Sequence, residues 1–578
     1  MIDPGTYESL GELLTDALVT WKSERALIEV DRAKVTRELR YLDVKREVAK
    51  VAAWLAEHGV RAGTHVAIVM SNQSRWLVAA TAVLRAGAVL VPIDYKLSAD
   101  EQAALLAHSE SRALVTEAPL FKRFTSPPRI PTLVSEADGL PRDATRWEDL
   151  EAPEREPPGA PRRRSDDACI VYSSGTGGAP KGCVLTNAAY LDQLGALMSL
   201  FPLRPGHRWL SILPTNHAID FMCGFLGPFA CGAAVVHQRT LRPEFIVSTM
   251  RDQRITHTAL VPALLAAFER ALDEKLDRRP AWQRSAIGAL SSLNEALTRR
   301  APDVALSRRL LGGVHDALGG SLELMFSGGA FVDRARAERF YALGLPVVIG
   351  YGLTECCTVA TVNDLAPFRA DGVGRPVRGV EVRIHEPGPD GVGEVRIRGT
   401  TVMDRYFRDA ELTARTITED GWLCTGDLGW IDAASHLHLV GRSKNMIVTD
   451  GGKNVYPEDV EAAFEGLACE ELCVAASSWL WPRVEDLTKE SLVAIVRPKK
   501  GASAADVARE LASRNKKLPE HKRVGALLTW STAFPRTASL KVKRELLRDA
   551  VRAEKSPRDL VHLAAPHGAA SPRVEIVR

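Results

Sequence analysis

The sequence predicts an α/β protein of more than one domain, on three observations. Between residues 42 and 116, short apolar runs alternate with amphipathic stretches over short connections, the pattern of a parallel sheet with helices on its faces. At 578 residues and 63.0 kDa the chain exceeds one ordinary core and suggests roughly two to four domains. Beyond residue 380 the pattern changes to short apolar–polar alternation (381–384 and 393–398), which indicates the strands of a smaller antiparallel unit.

The first 30 residues read as a lead segment carrying one amphipathic helix, 10–21. A second amphipathic helix, 42–58, stops at Gly59. Strand 65–70, helix 76–86 closed by Gly87, strand 88–93, helix 99–108 and strand 113–116 follow. Residues 123–167 are rich in Pro, Arg, Glu and Asp and are expected to be a solvated connector without a fold element. The run of three arginines, 162–164, has acids on both sides and reads as solvated loop rather than a basic patch. Then come strand 168–172, helix 187–200, strand 209–214, apolar helix 221–229, strand 233–237, and a strand running into a helix at 255–265. Residues 268–318 read as helices rich in Arg, Ala and Leu. Strand 324–327 enters a Gly-Gly turn, and strand 347–350 follows. Toward the C-terminus the expected elements are helix 458–464, strands 472–476 and 491–496, helix 503–516 and a last strand, 525–530. Residues 553–578 lack periodicity and are expected to form a mobile tail.

Composition excludes several classes. Lys+Arg 75 against Asp+Glu 72 is nearly balanced, which argues against a nucleic-acid partner. The longest uncharged run, 221–236, is shorter than a bilayer span and contains Pro228 and several glycines. It is expected to be buried core, so no transmembrane segment is expected, and peripheral membrane contact stays open. The nine cysteines are odd in number, include no CxxC pair, and place Cys356 beside Cys357. That suits reduced thiols, not a disulfide or zinc framework. With no basic-then-apolar signal after Met1, the expected location is the cytoplasm.

Two stretches carry the chemistry. Residues 171–187 read VYSSGTGGAPKGCVLTN. Ser173, Ser174 and Thr176 supply hydroxyl donors, Gly175, Gly177 and Gly178 allow a tight turn with exposed N–H groups, and Lys181 adds a positive charge. This chemistry suits a triphosphate. It is not the Walker pattern, because Lys181 lies between Pro180 and Gly182. Residues 347–355, VVIGYGLTE, form a strand ending in Tyr-Gly-Leu-Thr-Glu, and ligands of open parallel sheets sit beyond such strand ends.

Together with LPTNH (213–217), LMFSGGA (324–330), GWLCTGDLGWID (421–432), GRSKNMIVTDGGKNVYPEDVE (441–461) and PRTASLKVKRELLR (535–548), these stretches resemble the adenylate-forming superfamily of acyl-CoA synthetases, adenylation domains and luciferases. The likeness runs in order to about residue 552 and is greatest to the long-chain fatty-acid–CoA ligase branch. It implies an α/β fold with a large N-terminal domain, 1–441, of stacked mixed sheets flanked by helices, plus a small β-barrel-like unit. It also implies a small mobile α+β domain, 442–552.

The resemblance further implies residue roles. Ser173 to Lys181 become the triphosphate clamp, with Thr176 taking part in catalysis. His217 sits at the acyl pocket. Phe221, Met222 and Phe225 are pocket lining or core, which the sequence leaves open. Gly328, Gly329 and Ala330 pack on adenine, as do Tyr351 and Gly352. Thr354 lies near the α-phosphate and Glu355 is the Mg²⁺ ligand. Asp427 holds the ribose, and Arg442 contacts ribose or phosphate. Lys444 is the hinge, and Gly451, Gly452, Lys453 and Asn454 form the thiol-channel loop. Lys541 is the adenylation lysine, whereas Lys543 and Arg544 are expected to be surface charges.

Two positions depart from the pattern: Gly177 replaces a threonine and Leu540 replaces a glycine. The implied activity is ATP-dependent activation of a carboxylic acid, a medium- to long-chain fatty acid, to an acyl-adenylate, followed by transfer to coenzyme A. ATP and coenzyme A are cosubstrates and Mg²⁺ the metal. The alternatives are an acyl-AMP ligase that loads an acyl carrier protein, and a non-catalytic nucleotide-binding scaffold.

Overall fold

The structure is a computed structural model that describes residues 2–139, 144–173, 181–448, 454–481, 491–499, 501–536 and 542–563. The chain forms two compact units. The first comprises Met1–Arg383, Arg396–Thr425 and Ile431–Leu437; the second comprises Ile384–Val395, Gly426–Trp430 and the chain from His438 onward.

Two large sheets carry the first unit. One has nine strands in the order Arg375–Pro376, Thr361–Val362, Val347–Tyr351, Leu324–Gly328, His257–Leu260, Arg208–Ser211, Ala234–Gln238, Arg25–Asp31 and Lys34–Arg40. The six from Val347–Tyr351 to Arg25–Asp31 are parallel, and the edge strands are antiparallel. The other has eight, in the order Arg405–Tyr406, Lys181–Thr186, Asp167–Ser173, Val89–Pro92, His65–Val69, Ala113–Glu117, Thr132–Ser135 and Ala144–Arg146. Its first three strands pair antiparallel and the rest are parallel. The helix Ser74–Arg85 touches strands of both sheets and is buried at every position except Arg75. A helix apolar all round is stable only when covered on all sides, and this one is.

The elements expected between 42 and 116 are present as Tyr41–Glu57, His65–Val69, Ser74–Arg85, Val89–Pro92, Ala99–His108 and Ala113–Glu117. The first of three corrections in the first unit is the lead segment, which also contains the strand Arg25–Asp31 and enters a hairpin with Lys34–Arg40. Glu29 breaks the apolar run there; its carboxylate is buried and accepts hydrogen bonds from Ser74 N at 2.7 Å and from Ser74 Oγ. Second, the expected connector contributes two short strands, Thr132–Ser135 and Ala144–Arg146, at the edge of the eight-stranded sheet, and buries Trp147. Strands this short carry too little alternation to stand out against charged neighbours. Residues 151–166 form neither helix nor strand. Third, the apolar helix expected at 221–229 begins as a π-helix, Asp220–Leu226, and continues as Gly227–Cys231. Such widened turns concentrate at functional sites.

A separate four-stranded sheet has the order Val380–His385, Gly393–Gly399, Leu423–Ile431 and Leu437–Arg442. In the second unit another four-stranded sheet, Cys469–Ala476, Leu492–Pro498, Val524–Thr529 and Val561–His562, packs with helices Pro457–Ala463, Ala504–Asn515 and Arg544–Glu554. The strand Val561–His562 corrects both the expected last strand and the start of the tail: it pairs with Val524–Thr529, and of the expected tail 564–578 lie outside the described residues. All nine cysteines are thiols.

Candidate active site

The phosphate-loop motif joins two antiparallel strands. Ser173 and Lys181 face each other as a cross-strand pair, so the ends of the loop are pinned together. Ser174, Gly175, Thr176, Gly177 and Gly178 lie outside the described residues. Lys181 Nζ stands 5.6 Å from the Tyr406 ring centre, within cation–π range.

Glu355 joins the two large sheets. It follows the parallel strand Val347–Tyr351 on a short 3₁₀ turn, Thr354–Cys356. Its Oε1 accepts a hydrogen bond from Tyr406 Oη at 2.9 Å and lies 3.5 Å from Ser173 Oγ. Burial, with the Glu355 carboxylate next in effect, pushes the Tyr406 phenol far above its ordinary range, so Tyr406 remains a neutral donor. Glu355 Oε2 takes no hydrogen bond from any described residue. A carboxylate oriented through one oxygen and open at the other, beside a lysine and a hydroxyl, fits Mg²⁺, which binds one or two carboxylates plus substrate oxygens. Among the described residues no cluster of three His, Cys, Asp or Glu could hold an ion without such oxygens.

Glycine is required at the adjacent strand ends. Gly328 and Gly350 pair across parallel strands, and a Cβ at Gly328 would sit 2.6 Å from the Gly350 carbonyl oxygen. At Gly352 a Cβ would sit 2.1 Å from Thr358 O. Gly329 turns with φ +80° and is exposed together with Ala330. The result is a bare backbone ledge beside the buried Tyr351, at the carboxyl ends of parallel strands.

His217 leaves the end of the strand Arg208–Ser211, and its Nε2 lies 3.7 Å from Asp94 Oδ2. Thr358 Oγ1 donates to Ala218 O at 3.2 Å, which ties this segment to the turn after Glu355. Buried Gln193 holds the same turn: its side chain donates to Val359 O at 2.7 Å and accepts from Val359 N at 3.2 Å. Below His217, Asp220 is buried and accepts from Ser211 Oγ and Thr215 Oγ1, both at 2.8 Å. Burial pushes its carboxyl up to about 7. Asn72 completes the network by accepting from Thr215 N at 2.9 Å.

In the second unit Arg442 Nε lies 2.8 Å from Oδ1 of buried Asp427. Lys444 stands on the turn Ser443–Asn445, and desolvation, then Arg442, lower its pKa against the opposing pull of Glu545 and Glu458. Arg544, expected at the surface, is a correction: it is partly buried and bonds Glu461 at 2.6 Å and Val474 O at 2.8 Å. Only packing reveals it, because an arginine at the start of an amphipathic helix reads as solvated. Gly451, Gly452, Lys453, Leu540 and Lys541 lie outside the described residues; the backbone of Asn454 pairs with Val448.

Ser173, Lys181 and Glu355 are thus brought together, and Asp427 is brought to Arg442. Tyr406, Asp94 and Asp220 were not legible as site residues. Tyr406 sits in a two-residue strand among Arg and Asp, without a local pattern to mark it.

Residues 15–407 match the family model described as AMP-binding enzyme, and the chain belongs to that family. It is 28% identical over 456 residues to a 2-succinylbenzoate–CoA ligase of Bacillus licheniformis, covering 76% of this chain and 83% of that one. To a long-chain-fatty-acid–CoA ligase of Mycobacterium bovis it is 30% identical over 445 residues, covering 72% of each. Its fold is similar to the O-succinylbenzoate coenzyme A synthetase of Bacillus subtilis solved with ATP and magnesium ion: TM-score 0.71, 23% identity, 93% of this chain and 99% of that one.

Proposed function

We propose that this enzyme is an AMP-forming acid–CoA ligase whose acid carries an apolar tail, a medium- to long-chain fatty acid. The class rests on the family and on the motif residues. The tail rests on one observation, the apolar lining of an open pocket. Leu197, Met198, Phe201, Trp209, Met222 and Phe326 line it, and no charged side chain does. Ile219 packs on the same apolar cluster as Met198, Cys223 and Phe326, and a Cβ at Gly329 would lie 3.8 Å from its Cδ1, so the pocket backs onto the segment after His217 and the glycine ledge. Met222 is therefore lining, whereas Phe221 and Phe225 pack edge-on against Trp76 in the core.

A carboxylate is a poor acyl donor because its leaving group would be an oxide. Attack of the acid's oxygen on the α-phosphorus of ATP expels pyrophosphate and gives a mixed anhydride. A thiolate sulfur then attacks the carbonyl carbon, and AMP leaves. Neither step needs a covalent protein nucleophile, so the work is positioning and charge neutralisation. Ser173, Lys181 and the loop between them hold the triphosphate. Glu355, oriented by Tyr406, holds Mg²⁺, which when bound neutralises phosphate oxygens. The ledge Gly328–Gly329–Ala330, with Tyr351 and Gly352, takes the adenine, and Asp427 the ribose hydroxyls, each of which can donate to a carboxylate oxygen. Lys541 balances charge at the α-phosphate, and Lys444 is the hinge on which the 451–454 loop brings the thiol.

The test is ATP–pyrophosphate exchange, then thioester formation, with octanoate, dodecanoate and palmitate against malonate and 2-succinylbenzoate. Exchange with the apolar acids and thioester with coenzyme A are expected. Exchange confined to acids bearing a second carboxylate would overturn the apolar tail. Acyl transfer to a phosphopantetheinyl carrier protein and not to coenzyme A would overturn the acceptor.

A further inference from the structure

The helix Ala281–Thr298 is apolar over a wider arc than the protein covers. It packs through Asn294, Thr298, Ile287 and Leu290. Next to that face, Trp282 is 70% exposed, Leu293 46% and Leu297 57%. With exposed Ala286 and Ala289 they recur at three- and four-residue spacing, one stripe along a helix about 27 Å long. Single exposed apolar residues are ordinary, but a contiguous stripe on one face marks an interaction surface.

Charge identifies the partner. Residues 278–309 contain seven arginines against only Glu295 and Asp303, a net +5 in a chain whose total is +3. Arg278 precedes the stripe and Arg299 and Arg300 follow it; all three are exposed, and no described carboxylate forms an ion pair with them. A second copy seated here would bring like charges together, which is costly. An anionic lipid surface accepts both features: aromatic and aliphatic side chains enter the headgroup boundary while arginines meet lipid phosphates.

We propose that Ala281–Thr298 docks in-plane on an anionic membrane surface. No helix among the described residues is long and apolar enough to cross a bilayer, so the contact is peripheral. The proposal does not depend on which acid the enzyme takes.

The experiment is cosedimentation of the full chain with vesicles of phosphatidylcholine and phosphatidylglycerol, three to one, against pure phosphatidylcholine. Binding is expected on the mixed vesicles and about tenfold weaker or more on the neutral ones. Leu293→Ser with Leu297→Ser should weaken it by about tenfold or more with an unchanged melting temperature, because both side chains are already exposed. Arg299→Gln with Arg300→Gln should weaken it and flatten its salt dependence. Brominated lipid should quench wild-type fluorescence and quench Trp282→Phe less. Absence of binding to the anionic vesicles at low salt overturns the proposal. So does binding indifferent to the leucine pair, and so does a lipid-free dimer that this pair dissolves, which would give the stripe to a second copy.

Discussion

Replacing Tyr406 by Phe removes one hydroxyl and leaves the ring that faces Lys181. That hydroxyl donates to Glu355 at 2.9 Å. A hydrogen bond to a charged group contributes about 1.5–3 kcal/mol, about 10- to 150-fold in an equilibrium constant. If the bond orients Glu355 for Mg²⁺, its loss should raise the half-saturating Mg²⁺ concentration by about tenfold or more, and excess Mg²⁺ should restore most of the rate. Ser173 reaches the same carboxylate oxygen only at 3.5 Å, where such a bond is weak. Ser173→Ala should therefore shift the Mg²⁺ requirement by less than about threefold, whatever it does to ATP affinity. The assay is ATP–pyrophosphate exchange across a Mg²⁺ series with each variant. A Tyr406→Phe enzyme with an unaltered Mg²⁺ requirement, or a larger shift in Ser173→Ala, would refute the assignment of Glu355 orientation to Tyr406.

Three further outcomes follow from the same geometry. Folding raises the Asp220 carboxyl from 3.8 to about 7, so the unfolded chain ionises first and native stability falls as pH rises through that window. The loss amounts to about 4 kcal/mol at pH 7 and above. Asp220→Asn lacks it, so its melting temperature relative to wild type should climb from pH 5 to pH 8; a pH-independent difference would show that Asp220 ionises freely in the folded protein. Arg544→Met leaves the partly buried Glu461 without its guanidinium, at a cost of about 1–3 kcal/mol. Amide exchange should quicken across Pro457–Ala463 and Arg544–Glu554, and unchanged protection there would return Arg544 to the surface. Lys541→Ala should lower adenylation by about 100-fold or more yet spare thioester formation from supplied acyl-adenylate; equal loss in both steps would remove Lys541 from the first.

Much of the architecture was legible because its signals are local. Helices such as Asn187–Leu200 and Ala504–Asn515 announce themselves by spacing and caps, Thr186 and Ser503 each accepting a backbone N–H of the first turn. The hairpin strand Arg25–Asp31 escaped because Glu29 interrupts its apolar run. What makes Glu29 tolerable is Ser74, 45 residues away. The strands Thr132–Ser135 and Ala144–Arg146 escaped because strands of three or four residues have no period to read.

The sequence by itself determined the residue types that the chemistry needs: hydroxyls, glycines and Lys181 around the phosphate loop, Glu355 after its strand, Asp427 between Gly426 and Leu428. It also determined that they fall at strand ends and turns, since that follows from local pattern. The tertiary structure alone decided which groups meet. Tyr406 finds Glu355 across 51 positions, and Glu355 comes to Ser173 across 182. Burial likewise raised the Asp220 carboxyl and gave Arg544 to Glu461. Desolvation and hydrogen bonding act through space, at ångström range, so no spacing along the chain encodes them.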